Sequence, residues 1–240
     1  MKLSNKTILI TGGTSGIGRA LGEELLKNNK VILMSRNATK LREARLKGFH
    51  TIQCDLSKQL EIENVVVEIQ NEYSDLDVLF NNAGVQFNYL FTSAVIPLDK
   101  VRHEIEINVT GQIILTQLLI PLLMTSEKAL IVNTTSGLGA FPKTDGLVYS
   151  ASKAAMRNFT VGLRYALKNS GIKVVEFIPP VTATGMTADR NEDKMPLDDL
   201  MQITLPQLEK GKSLVAPFKM KLFPWIAFLF PSLAHKILSK

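Results

Sequence analysis

Two side chains with complementary proton chemistry, Tyr149 and Lys153, stand four residues apart. In a helix this spacing places both side chains on one face, with their Cβ atoms ~5–6 Å apart. A phenol has an ordinary pKa of about 10 and is a poor base at neutral pH, but an ammonium group about 4 Å away could lower that pKa by at most about three units. We therefore expect Tyr149 to be a general acid–base group with Lys153 as its electrostatic partner. On these two residues alone, a chance pair on an exposed helix is the favoured interpretation.

A glycine-rich segment near the N-terminus is suited to hold phosphate groups. It has four glycines within residues 12–18, directly after a short apolar run and at the start of a helical pattern. Glycines let the backbone approach a pyrophosphate, and a helix N-terminus offers unpaired N–H groups to the negative charge. The alternative is an ordinary tight turn between a strand and a helix. We predict that the cofactor contacts here are Gly12, Thr14, Ser15, Gly16, Ile17 and Gly18.

Arg36 bears on which dinucleotide binds. About 20 residues past such a turn, an acid normally accepts hydrogen bonds from the ribose 2′-hydroxyl of NAD. Here the segment from Met34 to Asn37 contains no acid, and the guanidinium of Arg36 can pair with a 2′-phosphate. The sequence therefore favours NADP(H) over NAD(H), with an exposed loop arginine as the alternative.

Strand-like and helix-like patterns alternate along the chain, which predicts an α/β fold with a doubly wound parallel sheet, the Rossmann fold. The predicted strands are Lys6–Thr11, Val31–Ser35, Thr51–Cys54, Val78–Asn81, Ala129–Thr134 and Lys173–Ile178. The predicted helices are Ile17–Asn28, Thr39–Lys47, Ile62–Tyr73, Leu98–Met124, Tyr149–Asn169 and Leu200–Glu209. We assign residues 1–210 to a single catalytic domain and residues 211–240 to an apolar, basic C-terminal extension.

Composition removes several classes of protein. The chain has 240 residues, 45% of them hydrophobic, which is enough for one continuous core. A single cysteine, Cys54, rules out an internal disulfide framework, and three widely separated histidines indicate no metal site. The longest apolar runs, residues 113–124 and 222–234, are shorter than the ~20 residues of a membrane-spanning helix.

The net charge of +6 is concentrated at the end of the chain. Five lysines and no acid follow Gly211, interleaved with Trp225 and several phenylalanines, whereas the body of the chain mixes both signs. We therefore expect no nucleic-acid partner. The extension either folds over the active-site mouth as an apolar lid or lies in a membrane interface, its lysines meeting anionic headgroups. We expect a cytoplasmic protein, in the second case peripheral on the membrane.

Taken together, these motifs resemble the short-chain dehydrogenase/reductase family, in its short single-domain branch. The resemblance covers about residues 5 to 186. Its motifs in this chain are Thr11-Gly12-x-x-x-Gly16-x-Gly18, Asp55-Leu56, Asn81-Asn82-Ala83-Gly84, Asn108, Ser136 and Tyr149-x-x-x-Lys153. The resemblance implies that Asp55 and Leu56 contact the adenine end of the cofactor and that Asn82, Ala83 and Gly84 line it. It also implies that Asn108 holds a water in a proton relay, that Ser136 binds the substrate oxygen, and that Lys153 holds the nicotinamide ribose.

The loop after the sixth strand departs from the family pattern. The family has Pro-Gly there, whereas this chain has Pro179-Pro180, and the register makes Thr184 the expected nicotinamide contact. The double proline and the Pro-rich apolar C-terminus also resemble a smaller set of bacterial oxidoreductases associated with D-alanine esterification of teichoic acids.

We therefore expect an NADP(H)-dependent oxidoreductase that acts on a carbonyl or alcohol of a small-molecule substrate, with polar and apolar substrates both open. The alternatives are a dinucleotide-binding regulatory or scaffold protein, and non-redox chemistry on the same fold. The substrate region should comprise residues 85–91, 138–144 and 182–199. The resemblance also implies a homo-oligomer, formed through Leu98–Met124 and Tyr149–Asn169, whose apolar runs exceed one core-facing stripe.

Overall fold

Parallel β-strands form the centre of the molecule. The computed structural model describes residues 2–92, 95–230 and 232. Its strands are β1 (Thr7–Thr11), β2 (Lys30–Ser35), β3 (His50–Gln53), β4 (Leu76–Asn81), β5 (Leu130–Thr134), β6 (Lys173–Phe177) and β7 (Leu214–Val215). They form one sheet in the order β3-β2-β1-β4-β5-β6-β7. The prediction of a doubly wound parallel sheet is confirmed.

Helices cover both faces of this sheet. They are α1 (Gly16–Leu26), α2 (Ala38–Leu46), α3 (Gln59–Glu72), α4 (Leu98–Ile105), α5 (Gly111–Leu123), α6 (Leu147–Ala166), α7 (Leu197–Glu209) and α8 (Phe218–Leu229). Short 3-10 helices span Gly137–Gly139 and Gly185–Thr187. A π-helical segment, Glu106–Thr110, joins α4 to α5, so the single long helix predicted there contains a wider turn.

The hydrophobic core consists of two clusters, one on each face of the sheet. Alternate residues of β1 show the division, because Leu9 belongs to one cluster while Ile8 and Ile10 belong to the other. The first cluster includes buried residues of α3 and α5, and the second includes residues of α1 and α7. Burial on both faces is what requires the strands to be continuously apolar.

The sheet has one strand more than predicted. Strand β7 pairs with β6 through Glu176 with Leu214 and Phe177 with Val215. Two residues are too few to show an alternating pattern in sequence, so only the pairing reveals this strand. Because β7 lies past residue 210, the sheet includes residues that we had assigned to the C-terminal extension.

The extension continues as α8, which carries exposed apolar side chains. Phe218, Trp225 and Phe228 are 74%, 65% and 81% exposed. Helix α8 contacts the 3-10 helix Gly137–Gly139. The rest of the predicted extension, residue 231 and residues 233–240, lies outside the described residues.

The continuous stretch Leu98–Leu123 has the length and apolar character of a membrane-spanning helix. It lies against the sheet, however, with Leu115, Leu119 and Leu123 fully buried. Its buried residues also include the polar Glu104 and Gln112. We therefore describe it as a core helix of this fold.

Candidate active site

A cleft of ≈ 430 Å³ opens at the carboxyl ends of the strands. It lies where the strand order reverses between β1 and β4, the usual place for a ligand in a doubly wound sheet. Predicted site residues that line it are Gly12, Ser15, Gly16, Ile17, Arg36, Asp55, Leu56, Asn82, Ala83, Gly84, Tyr149, Lys153 and Thr184. Thr14, Gly18, Asn108 and Ser136 are not among the lining residues.

The glycine turn requires glycine on geometric grounds. Gly12 has a φ of +64°, and a Cβ there would stand 2.8 Å from Ala83 Cα. A Cβ on Gly18 would stand 2.5 Å from Asn82 Nδ2. Helix α1 begins at Gly16 with no side-chain cap from Ser15 and no acid in its first turn. No side-chain acceptor therefore competes for the N–H groups of that turn. A helix N-terminus of this kind is suited to bind the pyrophosphate of a dinucleotide.

The end of the cleft near β2 is cationic. Arg36 and Lys40 both line it beside Ser35. The Arg36 Nη1 atom lies 3.1 Å from His103 Nε2, and Thr14 Oγ1 donates to Ser35 Oγ at 2.9 Å. Lys40 was not among the predicted site residues. Its position four residues after Arg36 could have indicated that it lies beside Arg36 in the cleft.

The hydroxyl of Thr11, the residue directly before the glycine turn, holds the segment that follows β4. Its Oγ1 accepts hydrogen bonds from the N–H groups of Asn82 and Ala83 at 2.9 and 3.0 Å, and donates to Phe80 O at 3.2 Å. Asp55 also lines the cleft. Burial raises the pKa of its carboxyl group, but hydrogen bonds from Ser57 and the positive charges of Arg36 and His103 lower it overall.

Tyr149, Lys153 and Ser136 come together at the inner end of the cleft. The Lys153 ammonium lies 5.6 Å from the centre of the Tyr149 ring and donates to Thr134 O at 2.8 Å. The Ser136 side chain hydrogen-bonds that of Tyr149. Helix α6 supplies Tyr149 and Lys153, while Ser136 follows β5. The three residues therefore meet as predicted.

The pKa of Tyr149 differs from the sequence-based expectation of a lowered value. Burial raises it to about 12, although the hydrogen bond from Ser136 and the charge of Arg190 act to lower it. Burial also lowers the pKa of Lys153 to about 8. Desolvation of both groups thus outweighs the Coulombic help that we expected the ammonium to give.

Asn108 lies within the π-helical segment and is fully buried. Its Oδ1 accepts from Val85 N at 2.8 Å, while its Nδ2 donates to Val85 O at 2.9 Å and to Ser152 Oγ at 3.1 Å. The extra residue in a π-turn turns one side chain inward, and such turns are frequent at functional sites. Asn108 therefore fixes the loop that follows Gly84 against helix α6.

The loop after β6 closes the cleft despite its double proline. Pro179 and Thr184 line the cleft together with Gly185 and Met186. Thr184 caps the 3-10 helix through reciprocal hydrogen bonds with Thr187. A Cβ on Gly16 would stand 3.1 Å from Thr184 Cγ2, so this loop reaches the glycine turn. Thr184 thus lines the cleft, and its contact with the nicotinamide stays a prediction.

Sequence comparison decides the family. The family model for short chain dehydrogenases matches residues 6–195. The chain belongs to the short-chain dehydrogenase family. The resemblance that the motifs indicated is therefore confirmed.

Relatives within the short-chain dehydrogenases are similar over most of their length. The "Uncharacterized oxidoreductase DltE" of Bacillus subtilis is 37% identical over 222 residues, which cover 88% of each chain. An NADP-dependent 3-hydroxy acid dehydrogenase of Schizosaccharomyces pombe is 32% identical over 217 residues, covering 85% of this chain and 83% of that protein.

Solved structures share the fold at lower identity. A short chain dehydrogenase from Burkholderia cenocepacia in complex with NADP has a TM-score of 0.88 at 22% identity, covering all of both chains. One from Burkholderia phymatum in complex with NAD has a TM-score of 0.82 at 20% identity, covering 100% of this chain and 97% of that one. Structures with this fold thus hold either dinucleotide.

Besides Lys40, sequence reasoning missed two charged residues of this short-chain dehydrogenase. Arg190 and Glu104 both act on the pKa of Tyr149, from the loop after β6 and from α4. Neither belongs to a motif, and each approaches Tyr149 only through folding. The described part of the chain contains no group of three His, Cys, Asp or Glu residues that could hold a metal.

Proposed function

We propose that the protein is an NADP(H)-dependent oxidoreductase that interconverts a carbonyl and an alcohol. The observation that carries this proposal is the meeting of Tyr149, Lys153 and Ser136 at the inner end of a cleft whose outer part is the glycine turn. A module that only binds a dinucleotide has no need of a buried phenol and a buried ammonium close to a serine hydroxyl.

Each of the three residues has a distinct task. Bound NADP(H) supplies or accepts the hydride at its nicotinamide ring. Tyr149 gives its phenolic proton to the substrate oxygen in reduction and takes it back in oxidation. Ser136, hydrogen-bonded to Tyr149, orients that oxygen. Lys153 is anchored at Thr134 O, and its remaining N–H donors would hold the ribose of bound NADP(H).

The preference for NADP(H) is supported by charge. Arg36 and Lys40 bring two positive charges to the part of the cleft beside Ser35, and β2 ends without an acid that would repel a 2′-phosphate. The relative from Schizosaccharomyces pombe is named NADP-dependent.

Substitution of Tyr149 by Phe tests the proposal. It removes the proton donor and little volume, so we expect turnover of any active carbonyl substrate with NADPH to fall by about 10²-fold or more while NADPH binding is kept. Tyr165→Phe is the matched control, because Tyr165 lies on the same helix and is 73% exposed. NADPH consumption over a panel of aldehydes and ketones, together with NADPH titration, provides both measurements. Full activity of Tyr149→Phe would refute the acid–base role, and NADPH binding without turnover of any substrate would favour a regulatory protein.

A further inference from the structure

Arg190, in the loop after β6, carries a positive charge that lacks a matching carboxylate. One of its five N–H donors, on Nη2, goes to Gln86 Oε1. Its Nε atom is buried and has no hydrogen-bond partner. No ion pair among the described residues includes Arg190. A guanidinium with an unmet buried donor costs free energy in the protein, and that cost falls when an acceptor binds.

Hydrogen bonds join Arg190 to the two loops that flank the cleft. Its N–H donates to Thr187 O at 3.2 Å, and Thr187 forms the capping pair with Thr184 at the edge of the cleft. Gln86, on the other side, belongs to the loop that follows Gly84. Arg190 therefore connects the two loops that flank the cleft, within electrostatic reach of the Tyr149 hydroxyl.

Acidic side chains nearby have other partners. The fully buried Glu104 accepts from Phe87 N and from Tyr89 Oη, each at 3.3 Å. Asp145 and Glu192 both pair with Lys143, at 3.5 and 3.4 Å. None of the described acids thus forms an ion pair with Arg190.

We propose that Arg190 binds a carboxylate of the substrate, so that the protein acts on small oxo acids or hydroxy acids. A carboxylate matches the planar guanidinium with two parallel hydrogen bonds. Bound there, it holds the substrate carbon that bears the oxygen near Tyr149 and Ser136. This inference rests on the proposed oxidoreductase function and names its substrate class.

A binding experiment decides the role of Arg190 without turnover. In the presence of saturating NADP⁺, we expect malonate to raise the Tm of the wild-type protein in a concentration-dependent manner, while neutral malonamide does not. In Arg190→Gln the apparent affinity for malonate should fall roughly 10-fold or more, and Arg190→Lys should recover part of it. Lys194→Gln removes a charge from the same loop, where its Nζ donates to Ala188 O, and should bind malonate like the wild type. Absence of a malonate effect in the wild type, or an equal effect in Arg190→Gln, would overturn the proposal.

A kinetic experiment separates this inference from the proposed function. With NADPH, acetoacetate and its methyl ester differ at the carboxylate alone, and we expect kcat/KM of the wild type to favour the acid. Arg190→Gln should lower kcat/KM for the acid roughly 10-fold and leave the ester nearly unchanged. Equal use of acid and ester by both proteins would overturn the carboxylate site while supporting the reductase. Lack of turnover of any carbonyl compound would count against the reductase, and the malonate result would still decide the site.

Discussion

Burial acts in opposite directions on the two titratable residues that share the inner end of the cleft. It raises the pKa of the Tyr149 phenol to about 12 and lowers that of the Lys153 ammonium to about 8. At neutral pH Tyr149 is therefore a proton donor, the form that carbonyl reduction requires. Alcohol oxidation needs the phenolate and is favoured by alkaline pH.

The desolvated Lys153 has a cost in stability, which predicts a trade-off between folding and function. Moving its pKa from 10.5 to about 8 corresponds to a penalty on the order of 3 kcal/mol when the charged form is buried at pH 7. Lys153→Met removes this penalty and also the hydrogen bond to Thr134 O. We expect a net gain of about 1–2 kcal/mol in the free energy of unfolding at pH 7, together with loss of turnover.

Desolvation of Lys153 also makes the free energy of unfolding depend on pH. Between pH 8 and pH 10.5 the unfolded lysine holds a proton that the folded one has released, so wild-type stability rises with pH across this window. The advantage of Lys153→Met should therefore shrink from pH 8 to pH 10.5. Urea unfolding of both proteins at several pH values measures it, and a constant difference would contradict the assigned desolvation.

Arg36 determines the choice of dinucleotide in our proposal. Arg36→Asp replaces a cation that pairs with the 2′-phosphate by an anion that repels it. We expect NADPH to bind at least about 10-fold more weakly and NADH to be little affected. Arg42→Asp is the control, because Arg42 lies on α2 and contacts Thr39. Titration of both cofactors provides the test, and an unchanged preference would make Arg36 an ordinary surface arginine.

At the scale of elements, the position of α6 depends on close packing against the 3-10 helix Gly137–Gly139. A Cβ on Gly139 would stand 2.8 Å from the backbone C and O atoms of Lys153. Backbone atoms cannot yield as a flexible side chain does. Lys153 is therefore positioned by a glycine that no motif identifies.

Gly139→Ala should displace the Lys153 segment. We expect a loss of about 1–3 kcal/mol in stability and a fall in kcat, because the added methyl group overpacks this contact. Gly162→Ala is the matched control on α6, since a Cβ there meets nothing within 4 Å and alanine favours a helix by up to about 1 kcal/mol. Thermal unfolding and steady-state kinetics of both variants test the prediction, which equal behaviour would contradict.

For the whole molecule, we retain the prediction of a homo-oligomer formed through α5 and α6. The outer face of α6 carries exposed small residues, among them Ala151, Ala154 and Ala155, next to the exposed Tyr165. Partly buried apolar residues of α5, such as Ile114 and Leu118, lie at the edge of the core. Small side chains allow another copy to approach closely.

Light scattering tests the assembly. We expect a homo-oligomer at micromolar concentration and a monomer for Ala155→Arg, which adds a charge to the exposed face of α6. Leu46→Arg, at a position that is 90% exposed on α2, should leave the assembly unchanged. A monomeric wild-type protein would refute the prediction.

The sequence by itself determined the order of the elements and the chemistry of the motifs. Strand and helix periodicities are local, and a glycine turn between β1 and α1, or Tyr149 four residues before Lys153, defines its geometry within one or two turns of chain. The doubly wound sheet and the family were therefore predictable, as was the identity of the residues that line the inner cleft.

The tertiary structure alone decided what depends on contacts between distant residues. Strand β7 is defined only by its pairing with β6, and the approach of Arg190 and Glu104 to Tyr149 needs two loops and a helix in place. The pKa of Tyr149 is the clearest case. Its spacing from Lys153 predicted a lowered value, but burial is a property of the whole packed site, and it raises the pKa to about 12.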